Sequence, residues 1–257
     1  DAAARPASVA VLARTAEDLA EPCAEALERA ALPYYMSEGR PVATAPAGRV
    51  ALGLLELADG DAERDAVIEF LALARVDWPE GLHATALDRL SRLAGIVKGW
   101  DDWASGLRRW ARRQMGAADA AEEEAEREAM RQDVQLAQIA AGFLEEFLAQ
   151  ALELREQKSW PELAARLGAL VARHTRAGQD RTDVLDAIRR LAALQATGVE
   201  PRPGRASRLL RRALRTTSRR AARFQRSVLT FSSIMRSRGT LHDLVLVPRM
   251  IEKSFPR

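Results

Sequence analysis

Arg205, Arg208, Arg212, Arg215, Arg219 and Arg223 recur at intervals of three and four residues. On a helix that spacing lines all six guanidinium groups along one face. Such a stripe suits a polyanion. It follows a phosphate backbone without reading bases, because phosphate contacts position a protein but carry no sequence information. Arg211, Arg220 and Arg226 flank the stripe, and Leu209, Leu210, Ala213 and Leu214 form its expected core-facing side. The whole chain carries a net charge of +3, but Arg202 to Arg257 hold 15 bases against 2 acids, a net +13. Residues 1–201 are correspondingly acidic, at −10. A sign split of this size points to one end meeting nucleic acid.

Other chemistries are weaker or excluded. Trp100, Trp103 and Trp110 share a helical face, and so much apolar area reads as a packing seam before a base-stacking platform. Glu122, Glu123, Glu124, Glu126 and Glu128 open a long helix, where acids suit the positive end of its dipole. Consecutive glutamates cannot all face one ion, so they carry no metal reading. His83, His174 and His242 show no ligand spacing, and His174 near a helix end is expected to be favoured in its protonated form by the dipole. Cys23 is the only cysteine, which excludes a disulfide framework and fits a reducing, cytoplasmic setting. There is no Gly-x-x-x-x-Gly-Lys-Ser/Thr loop, no acidic pair followed by Glu-x-Lys, and no Gly-x-Ser-x-Gly elbow. No catalytic or metal residue is therefore assigned. No apolar run approaches the ~20 residues that span a bilayer.

The elements that must position the arginines fall into three stretches. Ser8–Ala13 and Tyr34–Met36 read as strands, with a helix between them from about Ala16, capped by Thr15 and stopped by Pro33. A second helix runs from Pro46 to Ala58. Helices then follow without strands: Asp61–Ala74, Thr85–Val97, the tryptophan stretch, a long helix within Ala118–Lys158, one from Ser159 to Thr175, and one from Asp180 to Thr197. Met130, Val134, Ala137, Ala141, Leu144, Leu148 and Ala151 give the long helix a coiled-coil-like seam. Ser159-Trp160-Pro161-Glu162 is a capping box. After the break at Val199–Gly204 the basic helix runs from about Arg205 to Arg223. Ser227–Phe231 and Leu244–Val247 read as strands, the latter continuous enough to be covered on both faces. This is one α/β unit interrupted by a helical insertion.

The two α/β ends carry a resemblance. Val9-Ala10-Val11-Leu12-Ala13-Arg14-Thr15 followed by Ala26-Leu27-Glu28-Arg29-Ala30-Ala31-Leu32-Pro33-Tyr34 resembles motif IV of UvrD-like superfamily 1 helicases of the AddB/RecB type. Arg238-Gly239-Thr240-Leu241-His242-Asp243-Leu244-Val245-Leu246-Val247-Pro248 with Glu252-Lys253-Ser254-Phe255-Pro256 is similar to motif V. The departures are Leu241, where a ribose-binding glutamate is usual, His242 at the aromatic position that follows, and Arg249 and Lys253, where glycines are common.

The resemblance implies a mostly α chain with a small α/β part. A RecA-like parallel sheet (2A; residues 1–60 and 224–257) would be formed by both chain ends around a helical 2B-type insertion (61–223). It implies that Arg14 and Gly239 serve nucleotide binding, and that Ser233 and Arg238 join the arginine stripe on DNA. ATP and Mg would act in the parent protein, with no complete site in this piece. The implied parent is an ATP-dependent helicase/exonuclease of double-strand break repair. Its partners would be sequence-independent single- or double-stranded DNA and a second helicase–nuclease subunit, with no membrane. The chain, which begins at Asp1, reads as an excised piece inactive alone. The competing expectation is a helical protein–protein scaffold that does not bind nucleic acid.

Overall fold

A computed structural model describes residues 8–14, 17–37, 39–219 and 229–248. In chain order these form β1 (Val9–Ala13), α1 (Glu17–Arg29), β2 (Tyr34–Met36), β3 (Arg40–Pro41), a 3-10 turn at Val42–Thr44 and α2 (Pro46–Asp59). Helices α3 (Arg64–Leu73), α4 (Ala84–Leu93), α5 (Trp100–Ala120), α6 (Glu124–Glu156), α7 (Trp160–His174) and α8 (Gln179–Leu191) follow. A 3-10 turn at Ala192–Thr197, α9 (Pro203–Thr216), β4 (Ser218–Arg219), β5 (Leu229–Ser233) and β6 (Leu244–Leu246) complete the described chain. The molecule divides into two compact units: Asp1–Ala45 with Arg215–Arg257, and Pro46–Leu214.

In the first unit, four strands form one sheet in the order β2-β5-β1-β6, and every pairing is parallel. Ala10 lies opposite Thr230 and Ala13 opposite Ser233, while Val11 lies opposite both Phe231 and Leu246. Both ends of the chain thus build a single sheet. Parallel neighbours in register point their side chains to the same face. Val11, Ala13, Met36 and Phe231 accordingly share a face, and Leu19, Ala20, Cys23 and Ala24 of α1 pack on it. Helix α1 closes with Ala31 at φ 52, the Leu32 N–H donating to the Leu27 carbonyl at 2.9 Å. That is a left-handed helix stop made by alanine where glycine is usual. The proposed Thr15 cap lies outside the described residues.

Two strand expectations change. Strand β5 is described from Leu229 to Ser233, two residues past the expected end at Phe231, while Ser227 and Val228 lie outside the described residues. Strand β6 is not covered on both faces: Leu244, Val245 and Leu246 are 44–50% exposed among the described residues. It lies at the end of the strand order, so among the described residues only its β1 side is paired.

The second unit is helical. Helix α2, expected with the sheet, belongs here, because it is apolar around most of its circumference. Val50, Leu52, Leu54, Leu55 and Leu57 are all buried, and a helix apolar on most sides needs neighbours on most sides. It packs against α3, α6, α7 and α8. Helix α6 buries Val134, Ala137, Ala141, Leu144, Leu148 and Ala151, the seam read from the sequence apart from Met130, which is only half-buried. Two of the three tryptophans serve packing: Trp103 is fully buried and donates its Nε1–H to the Ala62 carbonyl at 2.8 Å, and Trp110 is 5% exposed, whereas Trp100 is half-buried and donates its Nε1–H to the Gly60 carbonyl at 3.3 Å. The Ser159 capping box forms, with Glu162 N–H to Ser159 Oγ at 3.3 Å and Ser159 N–H to Glu162 Oε2 at 3.1 Å.

His174 departs from its expected role. It ends α7 yet is only 5% exposed, so burial outweighs the helix dipole. Its Nδ1 donates to the Arg75 carbonyl at 3.0 Å, and the Arg75 N–H returns a bond to the His174 carbonyl at 2.8 Å. The ring stands edge-on to Phe70 and Phe147, with centroids 6.2 and 5.9 Å away. Its Nε2 is buried with no hydrogen-bond partner among the described residues. Desolvation holds the pKa below the ordinary histidine value. The Arg75 carbonyl pulls the other way, nearby Arg173 lowers it further and Asp77 raises it.

A depressed folded pKa means the neutral ring stabilises the fold above the unfolded histidine pKa, near ~6.5. That stability is lost as pH falls through ~6.5 toward the folded value. Urea unfolding from about pH 7.5 to 5 is expected to show this loss, and His174→Gln is expected to flatten it. An unchanged pH profile in the variant would place the acid sensitivity elsewhere.

Candidate nucleic-acid interface

Helix α9 buries Pro203, Ala206, Ser207, Leu210 and Leu214, which fall on one side at helical spacing. Arg208, Arg212 and Arg215 project from the opposite side and are exposed, with Arg205 half-buried beside them. The packing of one face therefore fixes the direction of the other. Leu209, at 38% exposure, and Ala213 lie outside the buried face, correcting their core assignment; Ala206 and Ser207 take those places. Arg205 is steadied by its Nη1 donating to the Glu200 carbonyl at 2.7 Å. Arg211 pairs with Glu56 of α2 and is neutralised there. At the start of α9 a Cβ on residue 204 would collide with the Asp59 carboxylate, so Gly204 allows that approach. A negative charge there suits the helix N-terminus.

The stripe is shorter than the sequence period implies. The helix ends at Thr216 and not at Arg223. Thr216 and Thr217 are β-branched and poor helix formers. The Thr217 carbonyl accepts the Val42 N–H at 2.9 Å, and β4 pairs antiparallel with β3, Arg219 opposite Arg40. Arg219 thus sits on a strand, off the helical stripe. Arg223, with Arg220 and Arg226, lies outside the described residues.

Of the other predicted residues, Arg14 and Ser233 lie at the carboxyl ends of neighbouring strands. Ala13 and Ser233 are register partners, and the Ile234 N–H donates to the Ala13 carbonyl at 3.0 Å. Arg14, exposed, follows β1, and Ser233 closes β5, so the two share one sheet edge. From β1 the chain crosses toward β2; from β5 it crosses the other way, toward β6. Right-handed crossovers in opposite directions use opposite faces of the sheet. The β1–β5 edge is then a topological switch point, where open α/β sheets bind ligands. Arg238 and Gly239 are exposed in the turns after β5, with Gly239 at φ 80, a left-handed conformation that glycine adopts without strain. Leu241 is 95% exposed.

Three residues of this edge escaped the sequence reading. Ser37 Oγ donates to Ser232 Oγ at 2.6 Å, tying the end of β2 to β5. Ser232 is buried and its own hydroxyl donates to the Ser233 carbonyl at 3.3 Å. Arg236 reaches back with Nη1 to the Ser37 carbonyl at 3.1 Å. Nothing in local spacing links residue 37 to 232; only strand order does.

No family model and no curated protein matches the chain.

The Ser37–Ser232 pair is expected to hold the edge together. In urea unfolding, Ser37→Ala and Ser232→Ala are each expected to cost about 1 kcal/mol, and the double variant clearly less than their sum. Strictly additive losses would mean the hydroxyls do not interact.

Proposed function

We propose that the chain grips nucleic acid by its phosphate backbone, as part of a UvrD-like superfamily 1 helicase–nuclease of the AddB/RecB type. In this reading the parallel sheet corresponds to the RecA-like 2A domain and the helical unit to a 2B-type insertion. The carrying observation is the parallel pairing of β1 with β6 on one side and β5 on the other. The two segments that resemble motifs IV and V come from opposite ends of the sequence, yet their strands β1 and β6 are neighbours, and β5 on the other side of β1 brings Ser233 to the same carboxyl edge as Arg14. The arginine face of α9 supplies the electrostatic contact.

Nucleotide chemistry fits less well. Arg14 at the sheet edge suits a terminal phosphate, since a guanidinium fork matches phosphate oxygens. Exposed Leu241 stands where the family's ribose-binding carboxylate would be, and the sequence contains no phosphate loop. ATP and Mg would depend on other parts of the parent protein, and no hydrolytic step is assigned to these residues. The role that remains is a grip on DNA within a repair assembly that includes a second subunit.

A second reading, a helical scaffold for protein partners, draws on an open groove between α5 and α6. Its volume is about 390 Å³, and its lining includes Trp100, Leu148 and Leu152.

Labelled duplex and single-stranded oligonucleotides, followed by fluorescence anisotropy, separate the two. About four arginine–phosphate contacts imply roughly a hundredfold loss of duplex affinity between 50 and 200 mM salt. Arg208→Ala/Arg212→Ala is expected to reduce the slope of log K against log salt by nearly ~2. Salt-independent binding, or no binding, refutes the DNA reading, and concentration-dependent self-association on size exclusion would then favour the scaffold.

A further inference from the structure

Helix α5 carries a second arginine face that the charge balance of the sequence conceals. Arg108, Arg109, Arg112 and Arg113 fall within six residues, all exposed, in a stretch with no acid between Asp102 and Asp119. Opposite them on the same helix Trp103, Gly106, Leu107, Trp110 and Ala111 are buried. The packing that buries the tryptophans therefore turns these guanidinium groups outward together. They stand in residues 1–201, whose net charge is strongly negative, so their grouping is local and invisible to a regional sum.

Counter-charges are sparse on this face. Arg108 pairs with Glu145 of α6. Arg109 lies 3.7 Å from Asp102 and donates to Ser105 Oγ at 3.0 Å. Arg112 and Arg113 make no ion pair among the described residues. The reason is visible in α6, which follows α5 after three residues and packs back along it, with Arg108 paired to Glu145. The next stretch of α6, from Val134 to Leu144, contains no acid. Asp133 beyond it is occupied by Arg89 at 2.5 Å. The neighbouring helix thus offers these two arginines nothing to neutralise them.

We infer that the Arg108–Arg113 face of α5 is a second phosphate-backbone contact surface, separate from α9. It rests on the proposed grip on nucleic acid and extends it to a second helix. Protein-binding surfaces centre on buried aromatic and apolar anchors. On this helix Trp103 and Trp110 point inward and Trp100 lies at the helix start beside the α5–α6 groove, while the face that carries Arg109, Arg112 and Arg113 is guanidinium, which matches phosphate oxygens. The occupant it fits is a nucleic-acid backbone, and not an apolar peptide.

The test uses the whole chain with a labelled duplex, measured across a salt series. Arg112→Ala/Arg113→Ala is expected to lower the slope of log K against log salt by about 1.8, the share of two phosphate contacts. Arg112→Lys/Arg113→Lys is expected to keep most of the slope, because lysine keeps the charge. Both are exposed helical positions where alanine is well tolerated, so the fold is retained. An unchanged slope in the alanine variant, alongside a reduced slope for Arg208→Ala/Arg212→Ala, overturns this inference and leaves the proposed function standing. No duplex binding by the unaltered chain overturns both. If polyglutamate displaces the duplex as well, charge for charge, as unlabelled DNA, the face is selected for acidic protein and the inference fails.

Discussion

The parallel pairing of β1 with β5 is the constraint on which the first unit depends. Each of the strands β2, β1 and β6 spans only a few residues and could not stand alone. Short strands persist when each backbone amide and carbonyl finds a partner. Strand β5 supplies partners to β2 on one side and β1 on the other, and β1 passes the ladder on to β6. Because β1 and β5 come from opposite ends of the sequence, forming this pair closes the loop that contains the helical unit. The same pair sets Arg14 beside Ser233, so the polar edge is a consequence of backbone register before it is a matter of side-chain choice.

How far this could be read from the sequence varied with the range of the interaction. The α7 capping box was legible because all its parts lie within four residues. The α6 seam was legible because a three-and-four repeat maps onto one face whatever the neighbours are. Both chain ends were legible as strands from their apolar runs and as partners from their resemblance to two motifs. Coverage was not legible. Leu244–Leu246 has the apolar continuity of a central strand, yet lies at the end of the strand order, and nothing in three residues of apolar text distinguishes the two positions. The end of α9 was missed for a related reason. The arginine period runs on through Arg219, but Thr216 and Thr217 favour extended backbone, and β3, far away in sequence, supplies the partner that decides it. His174 was misjudged because its helix position was readable and the Phe70–Phe147 surroundings were not.

The charge distribution follows one rule on both α5 and α9. Each helix buries an apolar face at helical spacing, and the arginines take the side left over. Fixing them costs little beyond the core packing that forms the helix anyway, since the guanidinium groups remain in water. What differs is neutralisation: Glu56 removes Arg211 and Glu145 removes Arg108, whereas Arg112 and Arg113 face an acid-free stretch of α6. Position of the acids, more than number of the bases, decides which surface is available to a polyanion.

Residue-resolved amide hydrogen exchange on the whole chain addresses the β1–β5 pairing most directly. Amides of Ala10–Ala13 and Thr230–Ser233 are predicted to open with one shared free energy, because strands that exchange hydrogen bonds open together. Exchange of the two segments at unrelated rates, or of either at the rate of an unstructured peptide, would contradict it.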